Sequence, residues 1–111
     1  MAAVLGAFEQ AVLLAVLELH GEAYGRSILA AVEARLKREV AAGAVHATLS
    51  RLEHKGMLAS RTGDGSEVRA GRPRRYYRVQ ASGRRALNEA RAAADHLWNG
   101  FTWPLKGLKG L

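Results

Sequence analysis

The 111-residue sequence predicts a mainly α fold that carries one small β-hairpin. Three observations predict it. Apolar residues recur at helical spacing in three successive segments before Gly56, two short segments flanking a turn-rich run follow, and a fourth helical stripe closes the pattern. The length suits one domain with a tail, and 49% hydrophobic with 24% charged residues is a globular composition, so a packed core is expected.

In the first helix Phe8, Ala11, Val12, Ala15, Val16 and Leu19 stand at i, i+3, i+4, i+7, i+8 and i+11, with Leu13, Leu14 and Leu17 widening the stripe. Such a helix is mostly buried, and it stops near His20 and Gly21. A second begins after "EAYG", where Ile28, Leu29, Val32 and Leu36 form another stripe and Arg35, Lys37, Arg38 and Glu39 mark its polar last turns. The third covers residues 44–55: Val45, Thr48, Leu49 and Leu52 share one face, and Gly56 is placed as a C′ glycine. Its other face presents His46, Ala47, Ser50, Arg51 and His54, all small or polar.

"MLASRT" is too short for a helix and reads as a strand, with "RRYYRV" its antiparallel partner across the turn-rich "GDGSEVRAGRP". Strand alternation sets Arg75, Tyr77 and Val79 on one face and Arg74, Tyr76 and Arg78 on the other. Tyr24 and Tyr77 are then expected in the core, Tyr76 outside and able to meet a phosphate, and Arg75 swung out at the strand's start. The fourth helix, residues 82–101, carries Leu87, Ala90, Ala94, Leu97, Trp98 and Phe101 at helical spacing. It follows a unit already compact, so its stripe needs a partner. We divide the chain into residues 1–80, a helix over 81–101, and a flexible tail over 102–111.

Charge is concentrated. Residues 1–40 hold four Lys/Arg against five Asp/Glu, whereas residues 51–85 hold ten against three. A basic segment of that kind points to a polyanionic partner. Other classes are disfavoured. The N-terminal segment has no basic run before its apolar residues, and "AVLLAVLELHG" meets Glu18 and His20 well short of a span, so neither signal peptide nor membrane association is expected. The absence of cysteine fits the cytoplasm and removes thiolate metal sites and nucleophiles. His20, His46, His54 and His96 include no i, i+4 pair, so no metal is expected, and neither a cofactor nor catalysis is indicated: GxSxG, Walker A and HExxH patterns are all missing.

Three helices and then a basic hairpin is the order of a winged helix-turn-helix, and the third helix fits DNA chemically. A helix enters the major groove only if its exposed face is not bulky, and its groups must hydrogen-bond base edges or touch a methyl. His46, Ala47, Ser50 and Arg51 meet those conditions. Arg72, Arg74 and Arg75 of the 63–78 wing would neutralise phosphates or enter a narrow minor groove, with Pro73 stiffening the flap. Solvated edge-strand charge is the plainer reading of the same arginines.

The chain also resembles the PadR-like transcriptional regulators. "LGAFEQAVLLAVLEL" is similar to their first helix, "EAYGRSIL" to the start of their second, "GAVHATLSRLEHKGML" to the recognition helix and first wing strand, and "GRPRRYYRVQASGRRAL" to the second wing strand and fourth helix. The resemblance implies a homodimeric, DNA-binding regulator, most often a repressor, whose C-terminal helix makes the dimer. The short segment ending in "DHLWNGF" is similar to the compact members, with one dimerisation helix. Three positions depart from the family pattern. His46 stands where a tyrosine near the DNA backbone is usual, Ala41 replaces a serine before the recognition helix, and Gln80 replaces a threonine before the fourth. His46 can still bond a phosphate, more strongly when protonated; Ser82 is expected to cap the fourth helix in place of residue 80.

Two ambiguities stay open at this level. Trp98, Phe101 and Trp103 either pack the dimer or enclose a small planar effector between two protomers. The basic surface either reads sequence or serves a nonspecific architectural DNA- or RNA-binding protein.

Overall fold

The structure, a computed structural model, describes residues 5–63, 68–69 and 72–104, without the side chains of Val68, Arg69 and Arg72. The elements are α1 (Ala7–Glu18), α2 (Gly25–Leu36), α3 (Ala42–His54), β1 (Leu58–Thr62), β2 (Val68–Arg69), β3 (Arg72–Pro73), β4 (Arg75–Val79) and α4 (Ala81–Trp98). This is the winged helix-turn-helix order, mainly helical, with a wing between α3 and α4.

The helices form where their apolar stripes can meet. Val12 and Leu13 of α1, Ile28 and Val32 of α2, and Leu49 and Leu52 of α3 are fully or almost fully buried and belong to one core. Local bonds set the helix ends. Gly6 N–H donates to Glu9 Oε1 (3.1 Å) at the start of α1, and Tyr24 N–H donates to Ser27 Oγ (3.0 Å) at the start of α2. Gly56, at φ 80°, ends α3 as expected: Met57 N–H donates to the Leu52 carbonyl (2.9 Å) and Gly56 N–H to that of Glu53 (3.0 Å).

The wing differs from expectation in two respects. β1 and β4 pair antiparallel as expected, with Ser60 opposite Tyr77 and Arg61 opposite Tyr76, but the run treated as turn contains a second ladder, Val68 opposite Pro73 and Arg69 opposite Arg72. The hairpin is therefore longer than its two obvious strands; residues 64–67 and 70–71 lie outside the described residues. On the other side of β4, Tyr77 N–H donates to the Ala23 carbonyl (2.8 Å) and Tyr24 bridges Tyr76. Backbone before α2 thus lies against the wing root.

Helix four starts at Ala81 and stops at Trp98, shorter than the expected 82–101. Its first turns pack on the domain, where Ala86 is buried and Leu87 and Ala90 are partly covered. Residues 91–104 are all exposed. Ser82 is not the cap: Gln80 holds that position, and the Ser82 hydroxyl donates instead to the Gly56 carbonyl (2.9 Å). Residues 102–104 have no regular structure, and the remainder of the expected tail, 105–111, is outside the described residues. No described helix is long and apolar enough to cross a membrane.

Candidate nucleic-acid interface

Burying Val45, Thr48, Leu49 and Leu52 turns the opposite face of α3 to solvent, and His46, Ala47, Ser50, Arg51 and His54 are all exposed. Thr48 is the one buried polar residue among the described residues, 1% exposed, and Arg51 supplies its partner by donating to Thr48 Oγ1 at 3.1 Å. That bond steadies Arg51 along the helix while its other guanidinium N–H groups remain available. Ion pairing with Glu53 would have been the simpler fate for Arg51, but Glu53 accepts the Ser60 hydroxyl instead (2.5 Å).

Beside α3 lies a groove of about 650 Å³ between the starts of α2 and α3 and the root of the wing. Leu29, Val45, Leu49 and Tyr77 are among its apolar lining. Arg26, His46, Arg74 and Arg75 supply its polar side, and among the described residues no Asp or Glu lines it. Two helix N-termini open here. Ala41 precedes α3 without a side-chain cap, and the Ala42 and Gly43 N–H groups of the first turn have no acceptor among the described residues. Arginines, exposed N–H groups and the positive end of a helix dipole all favour an anion of phosphate type.

The wing root is built by stacking cations on rings. The Arg74 guanidinium lies 4.1 Å from the Tyr24 ring centre, the Arg61 guanidinium 4.7 Å from that of Tyr76, and the two tyrosines meet edge to face at 5.6 Å. Arg74 also donates to the Tyr76 hydroxyl at 3.4 Å. This corrects the expected place of Tyr76. It is only 5% exposed, because the segment before α2 covers the strand face that alternation assigned to solvent. Tyr76 therefore supports Arg74, and Tyr77 is buried as expected. Burial pushes the Tyr77 phenol above its ordinary value of 10.0, with Arg75 opposing and Glu53 reinforcing the shift.

Arg75 is exposed, as expected, and donates to Ser60 Oγ at 3.0 Å. The Arg72 side chain lies outside the described residues. Sequence reasoning missed Arg26. Its only signal was a cation at the start of a helix whose buried face begins later, and it has no ion pair among the described residues.

At the far end of α4, the candidate dimer residues divide. Leu87 and Ala90 are partly covered by their own domain, whereas Ala94, Leu97, Trp98 and Phe101 are exposed, Leu97 by 80%. Gly100, at φ 77°, turns the chain so that Trp98, Phe101 and Trp103 cluster with ring centres 5.2–6.2 Å apart. No group of residues suited to a metal ion occurs among the described residues.

A family model described as the transcriptional regulator PadR-like family matches residues 13–89. No curated protein matches the sequence. Among solved structures, the chain is similar to a PadR family transcriptional regulator from Eggerthella lenta, with 31% identity, a TM-score of 0.63, and coverage of 80% of this chain and 75% of that one. It is also similar to RosR of H. salinarum (20%, 0.69, 92% and 84%) and to BpsR of Bordetella bronchiseptica (18%, 0.59, 88% and 68%), whose DNA binding is regulated by 6-hydroxynicotinic acid. At those lower identities the likeness bears on the fold alone. With the winged helix-turn-helix in place and the family model running from the middle of α1 to the middle of α4, the chain belongs to the PadR-like family of DNA-binding transcriptional regulators.

Proposed function

We propose that the protein is a cytoplasmic repressor that binds a palindromic operator as a homodimer, with α3 in the major groove and the 63–78 wing on the backbone or in the minor groove. The observation that carries this reading is the exposed, unbulky face of α3 directly beside a groove lined by Arg26, Arg74 and Arg75, with no carboxylate among its described lining residues. His46, Ala47, Ser50 and Arg51 read base edges or steady the helix on the backbone, and Arg72, Arg74 and Arg75 hold phosphates. His46 lines the groove and donates a hydrogen bond to a phosphate.

Dimerisation through α4 is supported by the exposed apolar residues at and just beyond its end, Leu97, Trp98 and Phe101. A small planar effector between paired Trp98–Phe101–Trp103 clusters would regulate binding, a reading that rests on the clustered, exposed rings.

Selection of bound sequences from random duplex DNA by the purified protein tests the proposal. An inverted repeat with half-site centres about 34 to 36 Å apart is expected. Recovery of no preferred sequence, with binding abolished equally by any competitor DNA, would favour the nonspecific architectural or RNA-binding alternative.

A further inference from the structure

Three elements contribute one side chain each to a hydrogen-bonded chain that runs from the recognition helix to the wing. Arg75 of β4 donates to Ser60 Oγ of β1 at 3.0 Å, and Ser60 Oγ donates to Glu53 Oε2 of α3 at 2.5 Å. The direction of these bonds is dictated by chemistry. A serine hydroxyl has one proton, and an ionised carboxylate can only accept. With that proton committed to Glu53, Ser60 offers lone pairs alone, and a guanidinium, which has only donors, is the group that matches them.

The strand register shows that this is a specific reach. Thr62 stands opposite Arg75 and Ser60 opposite Tyr77, so Arg75 crosses diagonally to a residue two positions from its own partner. A guanidinium carries five N–H donors, and one bond to Ser60 leaves the others available at the groove that Arg75 lines. Glu53 is half-buried and absent from the groove lining, so its carboxylate acts on Arg75 through Ser60 without facing an incoming phosphate.

We infer that Glu53 and Ser60 are positioning residues for DNA binding: they orient Arg75 so that its remaining donors meet a backbone phosphate, and they set the wing root against α3. The inference rests on the reading that Arg75 holds a phosphate. It deepens that reading by assigning a role to two residues that touch no DNA themselves.

The test is the affinity of the full chain for a fluorescein-labelled random-sequence duplex across a salt series, with thermal unfolding run on every variant. Arg75→Ala is expected to flatten the salt slope by about 0.9, one phosphate contact. Ser60→Ala should weaken binding several-fold and flatten the slope similarly, Ser60→Thr should restore both, and the R75A/S60A double variant should lose little more than R75A alone. Glu53→Gln gives the sharpest arm. Removing a carboxylate near DNA tightens binding if net charge alone acts, whereas loss of the positioning charge is expected to weaken it. If R75A leaves the slope unchanged, Arg75 holds no phosphate and the underlying reading fails with the inference. If R75A flattens the slope but S60A lowers only the melting temperature, or E53Q tightens binding, Arg75's role stands and the positioning inference is overturned.

Discussion

Ser82 Oγ donates to the Gly56 carbonyl oxygen at 2.9 Å, a bond between residues 26 positions apart that joins the first turn of α4 to the residue ending α3. Next to it, a Cβ on Gly83 would stand 2.7 Å from the Met57 carbonyl oxygen and 2.9 Å from Val79 Cγ1. Helix propensity alone favours Gly83→Ala by about 1 kcal/mol. The obstructing oxygen is backbone, however, and cannot rotate away. We expect G83A to destabilise the fold by about 1 to 3 kcal/mol in chemical denaturation; a gain in stability would show that α4 is not seated tightly on the wing root.

Ala41 leaves the start of α3 without a side-chain cap. Ala41→Ser should stabilise the protein by about 0.5 to 2 kcal/mol and slow amide exchange in the first turn of α3. Unchanged exchange at Ala42 to Ala44 would mean that the serine hydroxyl does not reach those groups.

The proposed division of labour between wing and helix is open to a direct comparison. Replacing Arg26 and Arg74 by alanine should weaken binding to every duplex and flatten the salt slope by up to about 0.9 per lost phosphate contact. Replacing Ser50 or Arg51 should shift sequence preference by about 1 to 3 kcal/mol per base contact. Indistinguishable behaviour of the two classes would refute the division.

Leu97 is 80% exposed on α4. Leu97→Asp is expected to leave monomers by light scattering that bind a full operator poorly but retain the wild-type melting profile at low concentration. A dimer that survived the substitution would move the interface away from this residue.

Tyr77 makes the fold sensitive to alkali. Burial raises its phenol pKa above 10.0, so the folded protein holds that proton more firmly than the unfolded chain does. Stability from this group is intact below pH 10.0 and is lost as pH rises through the folded value. Tyr77→Phe should flatten the decline in melting temperature above pH 10.0, although the same variant at neutral pH should change little.

Much of this molecule was legible because its signals are periodic. The stripes of α1, α2 and α3 mark the faces that meet in the core, and Gly56 marks the end of α3. Alternation misplaced Tyr76 because β4 is covered on both faces there, and the covering segment, Ala23 and Tyr24, is distant in sequence. Ser82 was misread for a related reason: a hydroxyl one residue inside a helix looks like a local cap, but its acceptor is the end of another helix. Arg26 and the Glu53–Ser60–Arg75 chain were invisible because only folding brings those side chains to one groove or one another. The domain-facing half of α4 was also hidden, since one stripe contains both Leu87, which covers the core, and Leu97, which is 80% exposed.

Both tryptophans of the chain, Trp98 and Trp103, sit in the aromatic cluster closing α4, and the winged domain contains none. Intrinsic indole fluorescence is consequently an optical label confined to one end of the protein. Excited selectively, it follows events at that end without a dye, while the three tyrosines, Tyr24, Tyr76 and Tyr77, all lie beside the wing root. Two spectroscopic windows on two separate parts of the molecule are already written into its composition.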